Sequence, residues 1–167
     1  EAPRIQFELD EVTLGRARVE PVIAAAAVEP TPQRVDLSQL SDQELLEHAR
    51  ALSAQGSGSP AGFRRDAWAE LVNRNPIGDV RDEALFGLGI AHRGCGDHTA
   101  EEATFDRMID VTGARSEQGE RARYQRAWAR YYSGNHAGAL DDMESVADDA
   151  GGHTDRARHA LLNGAGF

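Results

Sequence analysis

His92, Cys95, Asp97 and His98 lie within seven residues of one another, and all four are side-chain types that bind metal ions. Zinc, however, takes four ligands in tetrahedral geometry, and its usual signatures place a longer spacer between one ligand pair and the next. No second pair is evident here. His136 and His153 occupy analogous turns, so His98 and His136 read as turn residues, and no metal ion or other cofactor is expected. Cys95 has histidines beside it, but a glycine-rich surface turn supplies neither an oxyanion hole nor a shielded pocket. Gly87-Leu88-Gly89 lacks the third glycine of a dinucleotide loop and falls in a helical pattern instead of after a strand. A phosphate-binding G-K-[ST] run is ruled out because the chain has no lysine; all 18 basic residues are arginine. Asp141-Asp142 reads as belonging to a solvated helical face. The chain is read as non-catalytic.

A different chemistry gathers between residues 116 and 133. Arg121, Arg123, Arg126 and Arg130 alternate there with Tyr124, Trp128 and Tyr131, opposed only by Glu117 and Glu120. The next segment carries Asp141, Asp142, Glu144, Asp148 and Asp149. Arginine forks pair with carboxylates, and tyrosine and tryptophan bury much area at low entropic cost, which is why these residues dominate binding hot spots. Such a polarised field suits steering of an acidic partner segment. Two plainer readings stand beside it. The aromatic spacing also fits core packing, and the arginines also fit exposed pairing with the neighbouring acids, worth roughly 0–1 kcal/mol each.

Composition narrows the classes further. A net charge of −10 argues against nucleic-acid binding, which needs a basic surface to neutralise phosphates. No apolar run approaches the roughly 18 residues that span a bilayer, so no direct membrane insertion is expected. The single cysteine cannot form an internal disulfide and leaves the compartment open. The chain begins at Glu1, not Met, and is expected to be a processed product or a fragment. At 167 residues it suits one domain.

The elements that hold these residues are read from their punctuation. Residues 1–38 are proline-marked, with Pro21 and Pro30 bracketing an alanine-rich run and Ile5, Phe7 and Leu9 alternating like a short strand. This segment reads as an extended arm or linker. From Leu40 on the pattern is helical. Ser41 and Glu44 fit a capping box ahead of Leu45, Ala49 and Leu52. Ser59-Pro60 predicts the start of a helix bearing Phe63, Ala67, Trp68, Leu71 and Val72, ended by Asn75-Pro76. Asp79 opens the next helix, which carries Leu85, Leu88 and His92. Thr99 and Glu102 suggest a further capping box before Phe105, Met108 and Ile109, and Gly113 is the stop. Ser116 starts the arginine-rich helix. Ala139, Met143 and Val146 mark a sixth, and Thr154 caps a short seventh with Ala157, Ala160 and Leu161.

Two of these hairpins repeat at a spacing of 38 residues. Gly89, Gly96-Asp97-His98, Phe105 and Met108 align with Ala127, Gly134-Asn135-His136, Met143 and Val146, with a one-residue slip that pairs His92 with Tyr131. Small residues at a helix crossing, a G-D/N turn and a later bulky apolar residue resemble the tetratricopeptide family, whose unit is a helix hairpin of about 34 residues. Leu88-Gly89 and the stretch from Ala127 to Gly134 are most similar to repeats of bacterial cell-envelope proteins, the Tol–Pal-associated and outer-membrane-assembly lipoprotein types. Residues 79–113 and 116–150 carry the likeness clearly; 41–76 read as a degenerate hairpin and 153–163 as a capping helix. Glu101 and Arg126 depart from the family pattern, standing where small and apolar residues are usual.

The resemblance implies an all-α fold: helical hairpins in a short right-handed solenoid over residues 39–167. It implies a non-catalytic scaffold that holds a protein or peptide segment on its concave face, within a bacterial envelope assembly. The family frame puts Glu83, Phe86, Ile90 and Arg93 of one unit and Arg121, Tyr124, Trp128, Arg130 and Tyr131 of the next at that face. A cytosolic regulatory domain taking a peptide or small effector is the alternative reading, and exposed end repeats leave self-association open.

Overall fold

In the computed structural model, residues 35–56 and 59–149 are described. The strand-like Ile5-Phe7-Leu9 segment, most of the arm and the helix expected after Thr154 lie outside them. The described residues form helices joined by short turns, with no strand among them. A 3-10 turn at Leu37–Gln39 is followed by α1 (Asp42–Ala54), α2 (Ala61–Asn73), α3 (Gly78–Gly94), α4 (His98–Thr112), α5 (Glu117–Tyr132) and α6 (His136–Asp149).

The ends of these helices follow from local chemistry. Ser41 accepts from the Glu44 amide, and the Glu44 carboxylate takes the Ser41 amide at 2.9 Å, the reciprocal bonding that a capping box predicts. The Ser41 hydroxyl, 2.6 Å from the carboxylate, and then the Ser41 amide hold the Glu44 carboxyl below its ordinary pKa. Ser116 caps α5 through the Gly119 amide at 2.9 Å. Two starts differ from the sequence expectation. The cap of α4 is Asp97, which accepts from the Ala100 amide at 3.0 Å, because Gly96 in the left-handed region turns the chain ahead of Thr99. At α2 Pro60 takes the cap position with an extended ψ of 129°, and Ser59 is buried, its hydroxyl without a partner among the described residues. Arg74, past the end of α2, donates to the carbonyls of Leu37 and Leu40 and so ties the 3-10 turn and the entry to α1 onto this hairpin.

Each helix packs chiefly on the helices beside it in sequence, and α3 also meets α5. The result is an all-α array of successive hairpins. Leu45, Leu71, Leu85, Phe105 and Met108 are fully buried between α1 and α4, and Met143 and Val146 of α6 pack with Ala127 and Tyr124 of α5.

The Gly87-Leu88-Gly89 run has a packing role. Successive odd positions on a helix point nearly opposite ways, so the two glycines open opposite flanks of α3. The Trp68 ring of α2 lies against Gly87, and the Phe105 ring of α4 lies against Gly89.

The repeat is visible in the turns. After α3, Asp97 donates its amide to the His92 carbonyl at 3.0 Å and Gly96 donates to Arg93 at 2.9 Å. After α5, Asn135 donates to Arg130 at 2.8 Å and Gly134 to Tyr131 at 3.0 Å. Gly96 and Gly134 have φ of 72° and 87°, the left-handed conformation this helix ending requires. The register is 38 throughout, so Arg93, and not His92, is the counterpart of Tyr131, and the expected slip is absent.

The two departures from the repeat pattern are each compensated. Glu101 is fully buried and meets the Arg93 guanidinium, with His98 Nδ1 at 3.1 Å from its other oxygen. Its counterpart in the next hairpin is Ala139, also fully buried. Arg126 forks onto Asp142 at 2.9 and 2.5 Å and reaches Asp106 at 2.5 Å. Burial works against its charge, but these carboxylates outweigh that and raise its pKa.

Candidate functional site

A groove of about 600 Å³ follows α3 and is bounded by α1 and α5. On α3, Asp79, Asp82, Glu83, Phe86, Gly87, Ile90 and Ala91 face it. Arg50 and Ser53 come from α1, Arg64 and Trp68 from α2, Met108 from α4, and Gln118 and Arg121 from α5.

The floor is aromatic and held from beneath. Trp68 is 3% exposed, donates Nε1 to Ser53 Oγ at 3.0 Å, and rests on the bare backbone of Gly87. Phe86 meets Phe105 edge-on with ring centres 5.9 Å apart, and the Arg121 guanidinium lies 3.5 Å from the centre of the Phe86 ring, over its face. A cation on a ring face gains roughly 0.5–2 kcal/mol depending on its hydration. Ile90 is 36% exposed, an apolar side chain presented to solvent from the groove wall. The rim is braced by Arg50, which forks onto Glu83 at 2.6 and 2.5 Å. That bond holds the Glu83 carboxyl below its ordinary range, more than its partial burial raises it.

The expected partner-facing residues fall into two groups. Glu83, Phe86, Ile90 and Arg121 line the groove. Tyr124, Trp128 and Tyr131 form a chain of ring contacts: Trp128 lies edge-on to Tyr124 at 6.4 Å and to Tyr131 at 5.9 Å, and it packs against the α5–α6 core. Arg93 turns inward to Glu101 and to the Gln125 carbonyl. Arg130 donates to Glu102 at 2.7 Å and to Asp142 at 2.9 Å. Of the two uses open to the α5 arginines, Arg126 and Arg130 thus take the structural one, bridging α4 to α6.

The His92–His98 turn is dispersed into local roles. Asp97 caps α4, His98 meets Glu101, and Cys95 is exposed. Burial holds the His92 imidazole below its ordinary pKa, and its Nδ1 is buried without a hydrogen-bond partner among the described residues. Among the described residues, no three His, Cys, Asp or Glu side chains converge into a group that could hold a metal ion. Nor is any described helix long and apolar enough to cross a membrane.

Sequence reasoning did not find Arg50, Ser53, Arg64, Trp68, Asp79, Asp82 or Gln118 as groove residues. Most come from the first hairpin, where the repeat pattern is too degenerate to assign faces, and only Trp68 carried a signal, as one of the two large aromatics of α2. No protein-family model matches the chain, and no curated protein matches its sequence.

Proposed function

We propose that this chain is a non-catalytic interaction module of tetratricopeptide-like build, whose groove along α3 takes a segment of a partner protein. The observation that carries this is the groove itself: Phe86 and Ile90 offer apolar surface above the buried Trp68, and Arg50, Glu83 and Arg121 frame it with charge. Helix arrays recognise chains in this manner, with apolar anchors seated between first helices and charged rims fixing register. The resemblance to envelope repeat proteins extends the proposal to an assembly of the bacterial envelope.

The groove's size favours one second reading. A volume of about 600 Å³ also suits a small effector, since ligand pockets run from roughly 300 to 1,000 Å³. The test is site-specific photo-crosslinking in the source cells, with the reactive group at Ile90 in the groove and at Val111, exposed on α4. A protein adduct at Ile90 that is absent at Val111 and lost on Phe86→Asp supports the module. Adducts at both positions alike, or at neither, would overturn it. Stabilisation of the purified chain by an extracted metabolite would favour the effector.

A further inference from the structure

We propose that the segment held in the groove carries a carboxylate side chain that binds Arg64, spaced two to four residues from an apolar side chain seated on Phe86 and Ile90. This rests on the groove reading above and adds the chemistry of its ligand.

Arg64 stands apart from the other groove arginines. Arg50 is engaged by Glu83, and Arg121 stacks on one face of the Phe86 ring. Arg64 lines the groove, yet its Nε is buried with no hydrogen-bond partner among the described residues. Arg64 as a whole is only half-buried, and among the described residues no carboxylate pairs with its guanidinium, so its charge is left for a group that arrives through the groove. A guanidinium cannot shed its charge to relieve the cost, and its fork matches a carboxylate.

The surroundings select an anion at this end. The groove acids lie toward the start of α3, where Glu83 is taken by Arg50 and Asp82 accepts from Arg81 at 2.9 Å. Arg64 sits at the far end, its Nη2 3.2 Å from where a Cβ on Gly94 would stand. Gly94 lies about 6 Å beyond Ile90 and about 12 Å beyond Phe86 along the helix axis, at 1.5 Å per residue. An extended chain rising about 3.3 Å per residue covers that in two to four residues. The groove thus joins an apolar seat to the Arg64 cation at a set distance, which calls for an acidic–apolar segment of a partner and not for a uniformly acidic one.

The experiment is selection of random dodecapeptides displayed on phage against the full chain, repeated with Arg64→Gln and with Ile90→Arg. Enriched peptides are expected to pair Asp or Glu with an apolar residue at this spacing, and to lose the acid preference against Arg64→Gln. For a chosen peptide, replacing its acid by the amide should weaken binding to the wild type roughly tenfold to a hundredfold, the range of a charge-assisted hydrogen bond. The same replacement should do nothing further to Arg64→Gln. The exposed Arg107→Gln serves as control, and the peptide substitution keeps the test valid should Arg64→Gln fold poorly. Peptides that depend on Ile90 but show no acid preference would overturn this inference and leave the groove reading standing. Absence of any peptide that Ile90→Arg excludes would overturn both.

Discussion

Replacing Gly89 by alanine tests the packing that sets α3 against α4. In an open helix the change stabilises by up to about 1 kcal/mol, since glycine loses more backbone freedom on folding. Here a Cβ would stand 2.5, 2.8 and 2.9 Å from Phe105 Cζ, Cε2 and Cε1. Phe105 is fully buried and braced edge-on by Phe86, so the ring cannot swing clear. Overpacking of this kind costs roughly 1–3 kcal/mol, and with three ring carbons inside contact the upper half applies, leaving a net loss of about 1–2 kcal/mol. The next hairpin carries the matched pair in natural form: Ala127 faces Met143, whose flexible side chain accommodates a Cβ. Phe105→Met should therefore turn the Gly89→Ala change from a loss into a gain. Urea unfolding of the wild type, both single variants and the double variant measures this, with Gly62→Ala as the open-helix control because nothing lies within 4 Å of its added Cβ. If Gly89→Ala alone stabilises as Gly62→Ala does, the close-approach argument is wrong.

Two further outcomes are expected. Arg93→Met leaves the fully buried Glu101 without its arginine and should cost about 3 kcal/mol or more, most of it recovered when Glu101→Ala is added, as Ala139 is tolerated at the counterpart position; calorimetric melting that shows Arg93→Met to be neutral would discount the pair. His92 has a folded pKa depressed by burial, so between that value and its unfolded pKa of about 6.5 the unfolded chain binds more protons. Its contribution is complete above about pH 6.5 and is lost as the pH falls through the folded pKa; denaturation midpoints at descending pH should drop less for His92→Gln than for the wild type, and parallel drops would assign the effect to other groups.

The sequence was most legible where one residue decides a local geometry. Ser41 with Glu44, Ser116, and the two Gly-Asx turns announced their helix ends because a cap or a left-handed residue acts within a few positions. Side-chain direction across helices was not legible. Arg93 and Phe86 belong to one helix and were read onto one face, yet Arg93 answers to Glu101 eight residues on, while Phe86 opens to the groove. That Arg130 pairs with both Glu102 and Asp142 is not legible in the sequence, because these partners lie on two different helices. Arg50 and Glu83 are separated by 33 residues and by a whole intervening helix, so no periodic pattern could pair them.

The neighbour-on-neighbour packing of the helices bears on how the chain folds and melts. Contacts confined largely to adjacent helices give a low contact order, so loop closure is inexpensive and assembly can spread from any hairpin. The same locality lets the array open from its ends, and amide exchange should be slowest in α3 to α5 and faster toward α1 and α6. The Arg50–Glu83 fork is a small exception, fastening α1 to α3 past α2. A segment lying along the groove would act as a longer version of that fastening. It would span α1, α3 and α5 at once and convert stepwise fraying into a single cooperative transition, so a sharpened melt would itself report occupancy.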